Sequence, residues 1–491
     1  MYFNSYIFIF LLVPFALVGY HTLNHFKKYR PALAWVVFAS LVFYSWGNVT
    51  LFCLIAASVA GNHICSLLIK KTGKKKLFGI TGIVFDLGLL FYFKYYDFFV
   101  SNVNALFSTD WALKHIALPM GISFYTFQQI SYIADRMTDK AGHYDLLDYM
   151  GFVTFFPQLV AGPIVKHSDL VPQFKDEKKK HFDYVSFSKG LMLFVLGLSK
   201  KVLIADTLSR YADHGFDNVA WLDTPAAAAV MLCYTFQLYY DFSGYCDMAI
   251  GLGRMFNVDL PLNFNLPYKS KSIREFWRRW HITLSGFFRE YVYFPLGGSR
   301  KGRFRKELNT FIIFMLSGLW HGAAWNFVIW GCFHGLMLVL EDIFAKPLER
   351  LEKSRIGSGI KWLCTFILIN LSWVLFRVNS LSDLPLFFKK LFGLTSEGKL
   401  LELAFKADSA LLYIPDVLAK KLGGEGMHNA LYLGFMALGL LIAALSGLGK
   451  SAYERADSLR YRKRTVIALS LLFFFSVISL SKVIVFLYSN F

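Results

Sequence analysis

The chain has 491 residues, of which 56% are hydrophobic, 18% aromatic and 17% charged, with a formal net charge of +19. With a mean hydropathy of +0.44, it does not match an ordinary soluble domain and reads as all-α and multi-pass in a membrane. Its lysines and arginines fall in short clusters between apolar runs, which reads as topology signalling and argues against nucleic acid as a partner.

Taken in order, Tyr6 to Tyr20 is apolar and ends at the basic cluster His25 to Arg30. It lacks a basic n-region and a small-residue cleavage site, so it is expected to be a retained first helix. Two further runs, Ala32 to Trp46 and Leu51 to Ile69, end at the basic stretch Lys70 to Lys76. If those two runs form a hairpin, both basic clusters face the cytoplasm and the N-terminus lies outside. Leu77 to Tyr96 is expected to span, with Ser101 to Lys114 as its exit loop. Leu118 to Ala134 carries Ser123, Thr126, Gln128, Gln129 and Ser131. Lipid would not satisfy those amides, so the segment is expected to face protein or a cavity. Tyr149 to Val165 holds Pro157 and Pro163 and is expected to be kinked or re-entrant.

Phe187 to Ala205 and Ala226 to Met255 are further membrane segments, the second with Asp241 and Asp247 near its middle. Carboxylates at that depth are costly, so they serve function, lie nearer an interface, or pair with a neighbouring arginine. Asn263 to Arg305 interleaves tryptophan, tyrosine and arginine, the pattern of an interfacial segment. Its Lys269, Lys271, Arg274, Arg278 and Arg279 suit anionic lipid or the phosphates of a coenzyme from the cytoplasm, with simple topology anchoring the alternative for each. Leu308 to Glu341 is then too long for one span, about 51 Å as a straight helix against a core of about 30 Å. Trp320 to Trp325 is the expected break, and His321, about 20 Å past Leu308, reaches mid-membrane. Trp362 to Phe376, Leu431 to Leu448 and Thr465 to Tyr488 complete about 10–12 membrane segments. With the basic loop Lys450 to Arg464 inside, the C-terminus also lies outside. The six cysteines lie in apolar segments without CxxC spacing, which supports neither a disulfide scaffold nor a metal site.

Three stretches, YCDMAIGLGRMF at Tyr245 to Phe256, LPLNFNLPYKSKSIREFWRRWHITLSGFFREYVYFPLGGSR at Leu260 to Arg300 and LSGLWHGAAWNFVIWGCFHG at Leu316 to Gly335, resemble the membrane-bound O-acyltransferase (MBOAT) family. The likeness is to its bacterial branch, nearest the alginate-acetylating members. PQLVAGPIVKHSDLVPQF at Pro157 to Phe174 resembles that branch too. The resemblance implies one polytopic membrane domain over residues 1–491, with the family core at about 118–343 between flanking helices 1–117 and 344–491. It implies that His321 is catalytic, with His281 as a second polar group, although 40 residues (321 − 281) separate them. Trp320, Arg278, Arg279, Arg289, Tyr291, Asn263 and His334 are implied as substrate- or donor-binding candidates, His334 also as a packing residue. Glu290 departs from the pattern, where an aspartate is expected.

The implied chemistry moves an acetyl group from a thioester to a hydroxyl, which requires a base and stabilisation of an oxyanion. An imidazole with an ordinary pKa of about 6.5 accepts that proton at neutral pH. His321 is therefore the candidate base, with His281 orienting substrate or donating to the carbonyl oxygen, and a covalent acetyl-histidine is the alternative. No permanently bound cofactor is expected. The resemblance implies cytoplasmic acetyl-CoA as donor, an exported alginate-like polysaccharide as acceptor and an extracytoplasmic SGNH-hydrolase-like partner at a bacterial cytoplasmic membrane. Peptidoglycan O-acetylation and teichoic-acid D-alanylation are the alternatives within the class. A transporter without acyl transfer is the competing class, and the internal symmetry it would favour is not found.

Overall fold

The computed structural model describes residues 1–406, 425–458, 462–480 and 487, and every regular element among them is helical. A bilayer core offers no water to backbone N–H and C=O groups, so a chain this apolar satisfies them within helices. Six described helical stretches are long and apolar enough to cross: Phe8–His25, Val49–Thr72, Lys75–Phe107, Trp325–Ile343, Arg355–Arg377 and Asn429–Leu448. The protein is an all-α multi-pass membrane protein.

The N-terminal helices are α1 (Val13–His25), α2 (Tyr29–Ser45), α3 (Val49–Thr72) and α4 (Lys75–Leu90). α4 runs through a π-turn at Phe91–Tyr95 into α5 (Tyr96–Phe107), so the loop expected from Ser101 starts only at Ser108, whose φ of 50° ends the helix. α6 (Ile122–Met137) is buried on nearly every side, which accounts for its polarity. Gln129 donates to Ser58 Oγ (2.7 Å) and accepts from Tyr149 (2.9 Å), while Asn62 donates to Asp86 (2.6 Å). These amides tie α3, α4 and α6 to α7 (Leu146–Thr154). The expected kink falls at Phe155, before the short α8 (Phe156–Leu159), whose first turn accommodates Pro157. α9 (His167–Lys175) follows.

α10 (Tyr184–Ser199) passes through another π-turn, Lys200–Ala205, into α11 (Asp206–Asp217) and lies against α12 (Thr224–Met255). The two backbones touch: a Cβ on Gly197 would sit 2.5 Å from Gly244 O, and one on Gly190 2.5 Å from Gly251 O. Small residues allow this approach, and dispersion along it replaces the hydrophobic drive that lipid does not supply. The π-turn also aims two consecutive lysines at α12, Lys200 onto Asp247 and Lys201 onto Asp241, both at 2.6 Å. Lys201 meets Asp206 as well (2.6 Å). The two carboxylates are thus paired, with lysines in place of the expected arginines.

Next come α13 (Ile273–Arg279), α14 (Ile282–Phe288), α15 (Arg303–His321), α16 (Trp325–Ile343), α17 (Ala345–Glu352), α18 (Arg355–Arg377), α19 (Asp383–Phe392) and α20 (Lys399–Lys406). The interfacial reading of Asn263 to Arg305 requires correction for its first part, whereas further along Phe294 and Phe304 are 60% and 82% exposed. Trp277 and Trp280 are 6% and 0% exposed, packed on Trp330 of α16 and Trp373 of α18 at 5.6 and 5.0 Å between ring centroids. Arg274 pairs with Asp342 (2.6 Å), Arg279 with Glu275 (2.9 Å), and Lys269 donates to Gly449 O (2.8 Å). The amphipathic pattern is satisfied by protein on one face where lipid was expected. Of the C-terminal segments, Leu431 to Leu448 lies in the helix Glu425–Leu448, while Thr465 to Tyr488 and the basic loop before it fall partly outside the described residues.

Basic loops meet acidic partners at one end of the bundle, with Arg30 and Lys175 both on Asp148 and Lys306 on Asp342. At the opposite end Arg377 pairs with Asp213 (2.9 Å) and Thr224 donates to Lys390 O (2.8 Å).

Candidate functional site

The expected break in the Leu308 to Glu341 stretch is present. α15 stops at His321, Gly322 to Ala324 are extended (φ −159° at Gly322, −154° at Ala324), and α16 returns alongside. The Phe327 ring packs into the space that Gly322 leaves, 2.1 Å from where a Cβ would sit. His321 thereby ends a helix inside the protein at 2% exposure. Around it stand Trp320, Trp330 and Phe376, with ring centroids at 5.0, 5.2 and 5.4 Å.

Folding brings His281 to the same place, 6.4 Å from His321 between ring centroids. His281 joins α13 to α14 in the left-handed conformation (φ 46°, ψ 54°) and is fully buried. A non-glycine residue held there costs about 1–3 kcal/mol unless its surroundings impose it. Asn263 imposes it: its backbone oxygen accepts from Ile282 N (3.0 Å), and its Oδ1 accepts from Thr283 N (3.3 Å) and Oγ1 (2.9 Å). The same Oδ1 lies 3.1 Å from His281 Nδ1. Since Oδ1 only accepts, Nδ1 of the neutral ring carries the proton and Nε2 is the basic nitrogen. Donation from Nε2 to a carbonyl, as expected from sequence, therefore requires the charged ring. Asn263→Ala removes that constraint. It is expected to lower turnover by about tenfold or more, a part of the 10²–10⁴ that a positioned acid or base contributes, with insertion unchanged, checked by acetyl-CoA turnover of the purified protein.

Trp320 packs beside both histidines, 5.9 Å from His281 and 5.0 Å from His321 between ring centroids, with its indole N–H buried and lacking an acceptor among the described residues. Two cavities flank this centre. At the basic end one of about 370 Å³ is lined by Arg274, Arg278, Arg289, Tyr293, Lys306 and Ser317, the last a single turn before His321. At the opposite end one of about 590 Å³ is lined by Lys201, Asp241, Gln237, Asn326, Phe327 and Phe376. Phe376, in contact with His321, closes its floor. A larger cavity of about 720 Å³ between α5 and Trp325 is almost wholly apolar and carries no titratable pair.

Of the residues anticipated from sequence, His321, His281, Trp320 and Asn263 converge. Arg278 and Arg289 line the basic-end cavity. Arg279 is held by Glu275 and Asn265 O and does not line it. Tyr291 donates to Asp135 (2.9 Å), itself bound to His167 (3.0 Å), in a separate buried cluster. His334 is held at both nitrogens, by Trp277 Nε1 (3.3 Å) and Ser372 (3.1 Å), which gives it a supporting role. Glu290 bridges Lys166 and, at 4.0 Å, Lys140. Sequence reasoning missed Lys94 and Tyr95, which reach the end of α15 from the π-turn at Phe91–Tyr95. A single lysine inside the apolar run LFYFKYY was the signal available.

The membrane-bound O-acyltransferase family matches residues 38–381. The chain is 38% identical to a "Peptidoglycan O-acetyltransferase" of Helicobacter pylori, over 100% of this chain and 97% of that protein. It is 41% identical to a "Probable alginate O-acetylase AlgI" of Pseudomonas aeruginosa, over 78% of this chain and 73% of the other. A "Teichoic acid D-alanyltransferase" of Bacillus subtilis is 29% identical over 46% of this chain and 60% of its own length. On the match to the family over residues 38–381 and the likeness to these relatives, the chain belongs to the membrane-bound O-acyltransferase family and is an O-acyltransferase.

Proposed function

We propose that this enzyme takes acetyl from acetyl-CoA on the cytoplasmic side and passes it through the His321–His281 centre to a hydroxyl of an exported cell-envelope polysaccharide, peptidoglycan before alginate. One observation carries the reading: two buried imidazoles in contact range lie between a basic cavity at one end and a polar cavity at the other. The basic loops orient their end toward the cytoplasm of a bacterial inner membrane, leaving both termini outside. Arg278 and Arg289 offer guanidinium groups to the donor's phosphates, and the apolar walls around Trp277 take its thioester arm. A hydroxyl entering from the other side loses its proton to an imidazole as its oxygen attacks the thioester carbon. The C–S bond breaks and the thiolate recovers the proton, so the reaction needs no further reactant. The polar outer cavity suits the hydroxyl of an SGNH-hydrolase-like partner or of the polymer itself.

Alignment length supports the acceptor: the match to the peptidoglycan relative runs the length of both chains, whereas the alginate match covers 78% of this one. Mass spectrometry of muropeptides from cells with and without the gene tests the reading. Loss of one acetyl per muramic residue is the expected result. Loss from an alginate-like polymer alone would reassign the acceptor. Unchanged polymers, together with a purified protein that does not turn over acetyl-CoA, would sink the acyltransfer assignment in favour of transport.

A further inference from the structure

A helix that ends inside a protein leaves its last carbonyls without intrahelical donors and carries about half a negative charge there. α15 is such a helix, with Gly322 turning away in an extended conformation and its N–H reaching only Gly318 O at 3.4 Å. The orphan carbonyls are met from another element. Tyr95 donates to Leu319 O (2.9 Å), and Lys94 Nζ lies 2.5 Å from Trp320 O and 3.2 Å from His321 O. Ser123 Oγ (3.3 Å) completes the lysine's contacts, and the ammonium also stands 5.7 Å from the Trp320 ring centroid. The π-turn at Phe91–Tyr95 makes this possible, because the extra residue in the turn re-aims adjacent side chains. A lysine within a 33-residue apolar helix is expensive at membrane depth, so its place calls for a function.

We propose that Lys94 is the positioning residue of the acyltransfer centre, fixing the backbone of His321 and the ring of Trp320 through the end of α15. The inference rests on the reading of His321 as the group that carries the transfer. Lys94 acts through the two carbonyls that it holds, those of Trp320 and His321. Because a misplacement of about 1 Å at a reacting group costs about 10²-fold, the loss is expected in kcat and not in donor binding.

Lys94→Met and Lys94→Arg in the full chain, purified in detergent and assayed with acetyl-CoA, test it. Lys94→Met is expected to lower kcat by about 10²-fold with KM for acetyl-CoA within about twofold. Lys94→Arg, which keeps the charge and the donors, is expected to recover most of the loss. Should Lys94→Met fail to insert, Tyr95→Phe removes the neighbouring bond alone and is expected to lower kcat with KM unchanged. A Met variant that inserts and keeps wild-type kcat would overturn the proposal, as would one whose loss lies in KM, and as would a Tyr95→Phe protein with wild-type kcat. Wild-type protein without turnover in this assay would instead refute the acyltransferase reading beneath it. Carbethoxylation of His321, followed by mass spectrometry, gives a readout independent of turnover. It is expected to accelerate in Lys94→Met and not in Lys94→Arg, and equal rates in wild type and Lys94→Met would count against the proposal.

Discussion

His321→Ala is expected to abolish acetyl transfer, by at least the 10²–10⁴-fold that a positioned acid or base contributes, while the protein still inserts. The side chain is 2% exposed among Trp320, Trp330 and Phe376, so its removal also leaves a void. Loss of stability must therefore be separated from loss of chemistry, and His334 supplies the control. It is equally buried and lies in the same stretch, but both its nitrogens are engaged by Trp277 and Ser372. His334→Ala should cost stability of the order of 1–3 kcal/mol for the partners left unsatisfied, with turnover of the folded fraction reduced by less than about tenfold. The decisive measurement is acetyl-CoA turnover per folded molecule for both variants beside their thermal midpoints. If His321→Ala kept wild-type turnover, or the two histidines lost activity equally at equal stability, the centre would have to be placed elsewhere.

The contrast between those histidines also shows how far sequence alone could reach. The break at Trp320 to Trp325 was legible because length is arithmetic: 34 residues of helix do not fit one bilayer core. The burial of α6 was legible because its amides need protein partners, and Gln129 finds them in Ser58 and Tyr149. The fate of Asn263 to Arg305 was not. Aromatic and basic residues in alternation fit a headgroup layer or a protein interior equally well, and only the tertiary positions of Trp330 and Trp373 decide for the interior. The partners of Asp241 and Asp247 escaped for a related reason. The π-turn at Lys200–Ala205 rotates both lysines onto α12, and a π-turn leaves no periodic mark in an apolar run. The same holds for Lys94, so these three lysine contacts were delivered by local departures from α-helical geometry. The tautomer of His281 was equally out of reach, since it depends on Asn263, 18 residues away, folding back onto Nδ1.

Gly318→Ala should disable the enzyme without touching its chemistry. α15 and α16 cross at backbone contact: a Cβ on Gly318 would lie 2.2 Å from Phe327 O and 3.0 Å from Gly331, and one on Gly331 2.3 Å from Phe314 O. A backbone carbonyl cannot rotate away as a flexible side chain can, so the two helices must part by about 1 Å, a displacement that costs about 10² in rate when it reaches a reacting group. His321 follows Gly318 by three residues, and the carbonyls held by Lys94 and Tyr95 lie between them, so the shift is delivered to the centre itself. Overpacking of this kind also destabilises by about 1–3 kcal/mol. Gly359→Ala in α18 is the matched control, because a Cβ there meets nothing within 4 Å. It adds the same methyl group to another membrane helix and should leave both turnover and thermal midpoint at wild-type values. Gly318→Val should be worse than Gly318→Ala on both measures, since the added methyls point into the same crossing. Parallel turnover and melting measurements on the three variants check the argument, and a Gly318→Ala protein as active and as stable as Gly359→Ala would mean that the crossing does not set the position of His321.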